Sequence, residues 1–306
     1  MAGPVVELKD LSKQYGASWA VNRLNLQVPP GALFGLLGPN GAGKSTTLKM
    51  LMGICRPTSG SVTLLGMDAQ SESLPIRRRV GFVPEDKSLY SEMRVRDFLK
   101  VYGSFYPDWS PAKADELLKH WRMKPEQRIR TLSKGTRAKL MLIAVLARNP
   151  ELLLADEPTD GSDPETVEEI LSLLLRWIGN GERSVILTTH RLDEVERICD
   201  RIALINQGQM VLTGELDEIR SAYKLIQATG IFPMAEIRAW PEVSEATAEG
   251  SFVQVRTCSQ PEKVMERIKN YKPHQVEIFD MNLREIYLCA VARQGGSSNG
   301  RIETLV

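Results

Sequence analysis

The sequence predicts an α/β protein in which a mainly parallel sheet carries helices on its faces. Short apolar strands alternate with helical patterns from Ala32 onward, as in proteins built from strand–helix–strand units. A glycine-rich loop also joins a buried strand to a helix, which is a feature of nucleotide-binding α/β proteins. After about Arg220 the pattern changes to that of a small C-terminal α+β module.

The individual elements follow from hydrophobic periodicity. Alternating apolar residues in Val5–Leu8 and Val21–Val28 predict an N-terminal antiparallel sheet. Val95, Phe98, Leu99 and Tyr102 recur at helical spacing. Buried strands and the helices that follow them are predicted at Ala32–Leu37, Leu152–Ala155, Pro164–Ile178, Val185–Thr188 and Leu192–Cys199.

These patterns divide the chain into three parts. Residues 1–220 are predicted to form the larger domain, with a helical subdomain at about 89–145. Residues 221–293 form the accessory α+β module, whose Phe252 and Phe279 lie in predicted strands and are interpreted as core. Residues 294–306 are rich in glycine and serine and are expected to be a flexible tail.

Composition excludes several classes of function. Lysine and arginine total 39 against 38 acidic residues, so the charge favours no nucleic-acid partner. No apolar run of about 18 residues and no secretory signal are visible, and we therefore expect a cytoplasmic protein that reaches a membrane only through a partner. The four cysteines are too scattered for a zinc site.

The glycine-rich loop has the sequence Gly38-Pro-Asn40-Gly41-Ala-Gly43-Lys44-Ser45, which matches the phosphate-binding pattern G-x-x-x-x-G-K-S/T. Its glycines allow backbone N–H groups to face the phosphates of a nucleotide, and the helix that follows adds its positive end. Lys44 is expected to reach the β- and γ-phosphates, and the Ser45 hydroxyl to bind magnesium. Thr46 is included among the predicted nucleotide contacts.

Two acids and a histidine end later strands. Asp156 and Glu157 follow the apolar run Leu152–Ala155, and His190 follows Val185–Thr188. Asp156 is suited to hold magnesium beside Ser45, and Glu157 to polarise the attacking water as general base. His190 can hydrogen-bond a γ-phosphate and position the water. Each signal alone is modest, but their order behind a phosphate loop favours the catalytic interpretation.

On these motifs the sequence resembles the ABC ATPase family, the nucleotide-binding domains of ATP-driven transporters, over roughly residues 4–220. The segment Thr131-Leu-Ser-Lys-Gly-Thr-Arg137 is similar to the family's LSGGQ signature, with lysine and threonine as variants. It opens a helix, so its amides, with Ser133 and Gly135, can bind a phosphate. The resemblance implies that this phosphate belongs to a nucleotide held by the opposite subunit.

The resemblance also assigns roles to three other positions. Tyr15 stands where the family places an aromatic residue that stacks on adenine. Asp163 belongs to a segment similar to the D-loop, which contacts the partner subunit. Glu85 stands where the family's Q-loop has glutamine and is expected to contact magnesium and the attacking water. Its extra negative charge is expected to slow hydrolysis. The Pro84-Glu85 form is similar to that of bacterial exporters for drugs, antibiotics or sodium.

The function implied is an ATP-hydrolysing subunit of a transporter, with ATP and Mg²⁺ as cofactors. Its expected partners are a second copy or a related ATPase and a separate transmembrane permease, which would hold it at the inner face of the cell membrane. Two alternatives stay open. One is a soluble ABC ATPase without a transport role, and the other is a nucleotide-gated regulatory module with slow hydrolysis.

Overall fold

The computed structural model describes residues 3–179 and 181–295, with only the backbone described for residues 294 and 295. Its centre is a six-stranded sheet in which only one edge pair is antiparallel. The strands, from that edge to the other, are β10 (Gln209–Glu215), β9 (Arg201–Asn206), β3 (Leu33–Leu37), β8 (Ser184–Thr189), β7 (Leu152–Asp156) and β6 (Val80–Val83).

Both faces of this sheet are covered, which explains why its strands are continuously apolar. In β3, Leu33 and Leu37 point into a large core on one face, and Phe34 and Leu36 into a second core on the other. The predicted mainly parallel sheet is therefore confirmed. The N-terminal antiparallel sheet is confirmed as well, with the strand order β2 (Ser18–Val28), β1 (Val6–Tyr15), β4 (Ser59–Leu64) and β5 (Met67–Asp68).

Helices pack on both sides of the central sheet. Helix α1 follows β3 and shares the second core with the N-terminal sheet. The helices that precede the C-terminal sheet are α1 (Lys44–Leu51), α2 (Ser73–Arg79), α3 (Val95–Ser104), α4 (Pro111–His120), α5 (Lys134–Leu146), α6 (Pro164–Ile178), α7 (Leu192–Ile198) and α8 (Leu216–Ala222).

The predicted helical region consists of α3, α4, a short 3-10 turn at Ile129–Thr131 and α5. Val95, Phe98 and Leu99 are buried on one face of α3, and Tyr102 is partly buried beside them. Their helical periodicity in the sequence is thus explained by a face that packs on the large core. Helix α5 carries the predicted signature at its N-terminus and buries most of its length.

The C-terminal part has its own antiparallel sheet of four strands in the order β12–β13–β11–β14. With one helix after the first strand and one before the last, this is a βαββαβ arrangement of the ferredoxin-like type. Its elements are β11 (Lys224–Thr229), α9 (Met234–Arg238), β12 (Val243–Glu249), β13 (Phe252–Thr257), α10 (Pro261–Asn270) and β14 (Gln275–Asp280).

The last helix, α11 (Leu283–Gly295), leaves this sheet and packs on the larger part of the protein. Leu283 and Ile286 are fully buried in the same core as Val195 of α7. The amide of Leu283 also donates a hydrogen bond to Glu196 Oε1 at 2.6 Å. The C-terminal segment is therefore fastened to the central fold by its final helix.

The interpretation of Phe252 and Phe279 as core residues is wrong. They are 40% and 41% exposed. The register explains this, because Phe279 pairs with Leu225 and Phe252 with Thr229, whereas the alternate residues Ile226 and Val255 face the helices. Both phenylalanines therefore lie on the face of the sheet opposite α10.

The predicted boundary at residue 220 falls within α8, and the C-terminal sheet starts at Lys224. Most of the predicted tail, residues 296–306, lies outside the described part of the chain. Within the described residues, no helix combines the length and the hydrophobicity required to span a bilayer.

Candidate nucleotide-binding site

The phosphate loop connects β3 to α1, and its glycines are required by its backbone. Gly43 has φ 104°, in the left-handed region, and a Cβ atom there would lie 2.3 Å from the carbonyl oxygen of Ala20. Gly41 is also left-handed, with φ 79°. The first turn of α1 contains no acidic residue. The free amides and positive dipole end of this helix are therefore available to an anion.

Lys44 is buried beneath the loop, with only 5% of its surface exposed. Its ammonium donates hydrogen bonds to the carbonyl oxygens of Gly38 at 2.8 Å and Pro39 at 3.2 Å. It also lies 3.2 Å from Glu157 Oε1. This places a positive charge between the phosphate loop and the predicted general base.

Three oxygen-bearing side chains converge beside this lysine. Ser45 Oγ lies 3.1 Å from Asp156 Oδ1 and 3.4 Å from Glu85 Oε2. Asp156 is almost fully buried, and burial raises the pKa of its carboxyl group. Thr188 Oγ1 donates to the same Asp156 oxygen at 2.5 Å and fixes its orientation.

This donor set fits magnesium. Mg²⁺ prefers oxygen ligands and usually takes one or two carboxylates together with phosphate oxygens and water. In the described part of the chain, no group of three or more His, Cys, Asp or Glu residues is placed to hold a metal ion by itself. Ser45 and Asp156 with Glu85 would therefore hold Mg²⁺ jointly with a nucleotide.

Glu157 and His190 end neighbouring parallel strands and meet at their carboxyl ends. His190 Nδ1 lies 3.1 Å from Glu157 Oε2, while Glu157 Oε1 faces Lys44. Glu157 has φ 45°, an uncommon conformation for a residue with a side chain. Its amide donates to Thr188 Oγ1 and to the Thr188 carbonyl oxygen, both at 3.1 Å.

The predicted signature forms a second group of residues. Ser133 caps α5, and its Oγ accepts from the Thr136 amide at 3.1 Å. A Cβ atom on Gly135 would lie 2.7 Å from Thr166 Cγ2, so this glycine permits close contact with α6. Asp163 caps α6 by accepting from the Thr166 amide at 2.9 Å. Among residues 3–179 and 181–295, no hydrogen bond or ion pair joins Ser133 or Gly135 to the phosphate loop of the same chain.

The remaining predicted contacts are all at least partly exposed. Tyr15 ends β1 and is 52% exposed, with the Lys13 ammonium 5.0 Å from its ring centroid. Asn40 and Gly41 are exposed at the tip of the loop, and Thr46 is half-buried in the first turn of α1. These side chains are accessible to a ligand.

Sequence reasoning missed two residues of the site, Thr188 and Lys87. Thr188 is fully buried and contacts both Asp156 and Glu157. Its position two residues before His190 in a strand was the available signal. Lys87 follows Glu85 by two residues and donates from its ammonium to the carbonyl oxygen of Glu157 at 2.9 Å. Nothing in the local pattern indicated that contact.

A sheet of this topology, with a phosphate loop after β3, two acids at the carboxyl end of β7 and a signature at the start of α5, defines an ATP-binding cassette ATPase. Comparison with known proteins agrees. The family model described as ABC transporter matches residues 21–160. The chain is similar to Nod factor export ATP-binding protein I of Burkholderia lata, with 31% identity across 94% of this chain and 97% of that protein. The Rhizobium etli protein of the same name is 32% identical, with 94% of each chain covered.

Solved structures extend this likeness to the fold. The ATP-binding subunit of an ABC transporter superposes with TM-score 0.64 at 30% identity, covering 71% of this chain and 92% of that one. A dimeric ATP-binding cassette bound to ADP and Pi in a post-hydrolysis state gives TM-score 0.63 at 26% identity, covering 69% and 98%. The chain belongs to the ABC transporter family and is its ATP-binding, ATP-hydrolysing subunit.

Proposed function

We propose that ATP binds with its phosphates over the loop from Gly38 to Ser45 and that Glu157 is the general base. The observation that carries this assignment is the convergence of Lys44, Ser45, Asp156 and Glu157 at the carboxyl ends of β3 and β7. Bound Mg²⁺ would neutralise phosphate charge during transfer to water.

The other residues of the site position these groups. His190 orients Glu157 from its 3.1 Å contact and is suited to hydrogen-bond a γ-phosphate. Glu85 adds a carboxylate beside Ser45, where glutamine would be neutral. A second acid in the magnesium shell strengthens metal binding and opposes the approach of the phosphate charge, which lowers turnover.

We infer that the active unit is a dimer, of two copies or of this chain with a relative. The signature residues Ser133 and Gly135 form no hydrogen bond or ion pair with their own phosphate loop within the described residues. In a head-to-tail pair, the free N-terminus of α5 would instead bind the γ-phosphate of the partner's ATP. A similar cassette is known as a dimer, which supports this arrangement.

The proposed transport role is export. The similar proteins that cover nearly the whole chain are named for Nod factor export. The region at about 89–145 would contact a separate membrane permease and hold the subunit at the inner face of the membrane. Residues 1–220 then form the catalytic domain and 221–293 an accessory module. The transported molecule would contact the permease, and no nucleic-acid partner is expected from a net charge of +1.

Two substitutions in the purified full chain test this proposal. Glu157→Gln should retain ATP binding, favour the ATP-bound dimer and reduce kcat by about a hundredfold or more, because the base is lost. Lys44→Ala should weaken nucleotide binding. For both variants, kcat is measured from ATP turnover, affinity from the binding of a fluorescent nucleotide, and dimer formation from size-exclusion chromatography with ATP.

Glu116→Gln on the exposed side of α4 serves as the control and should leave all three measurements unchanged. Normal hydrolysis by Glu157→Gln would show that another group is the base. The alternative of a nucleotide-gated regulatory module predicts only slow magnesium-dependent hydrolysis by the unmodified chain. The alternative of a soluble ATPase predicts that no membrane permease co-purifies with it.

A further inference from the structure

A second buried ammonium group, that of Lys87, lies next to the catalytic glutamate. Lys87 belongs to the loop between β6 and α3 and is 7% exposed. Its ammonium donates to the Glu157 carbonyl oxygen at 2.9 Å and lies 3.4 Å from the Glu85 carbonyl oxygen. A lysine is rarely buried to this extent unless its charge is compensated. Its location therefore calls for a functional explanation.

The contact falls on a main-chain segment with an unusual conformation. Glu157 is left-handed, and a residue with a side chain keeps such a conformation only where its surroundings hold it. The amide of Glu157 donates to Thr188. The carbonyl oxygen of Glu157 accepts from Lys87 and, at 3.2 Å, from the amide of Asp160. Both polar groups of this peptide backbone are thus fixed from outside the residue, and the Glu157 side chain is directed between Lys44 and His190.

Charge provides a second argument. The site gathers acidic side chains, and Glu85 adds one where a glutamine would be neutral; the group comprises Glu85, Asp156, Glu157 and Asp160. Lys44 is paired with Glu157 Oε1 on the phosphate side. Lys87 supplies a second positive charge, bonded to the main chain of Glu157. Burial lowers the pKa of Lys87 and the charge of Lys134 acts in the same direction, whereas the carboxylates of Asp160, Asp156 and Glu157 favour its charged form. Its ammonium therefore offsets negative charge that a polyphosphate would otherwise increase.

We propose that Lys87 is a positioning residue that holds the main chain of Glu157 and ties it to the loop carrying Glu85. This inference rests on the proposed role of Glu157 as general base. A displacement of residues 84–88 would then move Glu157 through the side chain of Lys87. Lys87 thereby links the segment that leads into the helical region to the rate of hydrolysis through its contact with the main chain of Glu157.

The test is a comparison of Lys87→Met and Lys87→Gln in the full chain. Methionine retains the length of the side chain but has neither charge nor donor, so kcat should fall by about ten- to a hundredfold, the range expected for a charge-assisted hydrogen bond. The KM for ATP and the affinity for a fluorescent ATP analogue should change less than about twofold, because the Lys87 ammonium is bonded to the main-chain carbonyl oxygens of Glu157 and Glu85. Glutamine keeps a donor and should restore part of kcat.

Lys113→Met is the matched control, since Lys113 is a half-buried lysine of α4 whose ammonium donates to Asn149 Oδ1 at 3.1 Å, away from the site. Its kcat should be that of the unmodified chain. A wild-type kcat in Lys87→Met, or a parallel loss of kcat and ATP affinity, would overturn the proposal. If Lys87→Met does not fold, the same two outcomes are decided with Lys87→Gln.

Glu157→Gln separates this proposal from the one on which it rests. If Glu157→Gln abolishes hydrolysis and Lys87→Met does not affect it, only the role of Lys87 is wrong. If Glu157→Gln hydrolyses ATP normally, Glu157 is not the general base, and the proposed role of Lys87 is wrong with it.

Discussion

At the level of single residues, the site contains a buried negative charge that a bound cation would compensate. Asp156 is the best example, because its carboxyl group is buried at the end of β7 and burial raises its pKa. Ser45 and Thr188 donate to one of its oxygens, but the negative charge remains in a poorly solvated place. A divalent cation would compensate it.

Asp156→Asn should therefore stabilise the ligand-free chain while abolishing ATP turnover. A carboxyl group with a raised pKa contributes stability below its unfolded pKa and loses that contribution as pH rises through the folded pKa. The asparagine variant should thus match the unmodified chain below about pH 4, the unfolded pKa of aspartate, and exceed it above the folded pKa, by about 1.4 kcal/mol for each unit by which the pKa is raised. Thermal unfolding with EDTA, across that pH range, measures the difference.

If the aspartate chain is the more stable at alkaline pH without metal, its hydrogen bonds outweigh the cost of burial. Added Mg²⁺ and ATP should reverse the order of the two proteins, because only the carboxylate can bind the metal.

At the scale of elements, helix N-termini account for much of the predicted chemistry. Helix α1 presents its first turn to the phosphate loop, and α5 presents Ser133 to the exterior. Ser133 has an ordinary capping role in the isolated chain, since its Oγ accepts from the Thr136 amide. A catalytic role would come in addition to this cap, and the two can be distinguished with another serine cap of the same protein.

Ser133→Ala and Ser110→Ala form that matched pair. Ser110 caps α4, accepting from the Lys113 amide at 3.3 Å. Loss of a serine cap costs about 1 kcal/mol, so both variants should lose similar stability in urea denaturation. Only Ser133→Ala should also lower ATP turnover. Equal turnover in the two variants would mean that Ser133 acts as a cap alone.

In the molecule as a whole, the C-terminal segment contributes to two separate hydrophobic cores. Its sheet and α10 enclose a small core of their own, which includes Ile268. Its last helix contributes Ile286 to the large core of the ATPase part. The two isoleucines are almost equally buried, with 1% of the surface of Ile268 and 0% of that of Ile286 exposed. They therefore report on the two cores under matched conditions.

ATP binding should raise the unfolding temperature of the ATPase part. Ile286→Ala should lower the stability of that part by about 2–5 kcal/mol, the usual cost of truncating a buried isoleucine. Ile268→Ala should destabilise the C-terminal core by a similar amount and leave that ATP-sensitive transition largely unchanged. Calorimetry with and without ATP distinguishes these outcomes. If both substitutions shift one common transition equally, the two cores unfold as a single cooperative unit.

The fold class, the phosphate loop, and the acids and histidine at the strand ends could all be predicted from the amino-acid pattern. These features are local, because glycine spacing, strand periodicity and helix starts depend on neighbouring residues. Helix α6, predicted at Pro164–Ile178, has those bounds in the structure. The roles given to the individual site residues remain predictions.

The contacts between distant segments could not be predicted in this way and are known from the folded chain. The register of β14 against β11 turned Phe279 away from the helices. The docking of α11 placed Ile286 in the ATPase core. The loop after β6 brought Lys87 to Glu157, seventy residues away. Such contacts depend on how whole elements pack, and a one-residue shift in a strand reverses the direction of each side chain, so local patterns cannot predict them.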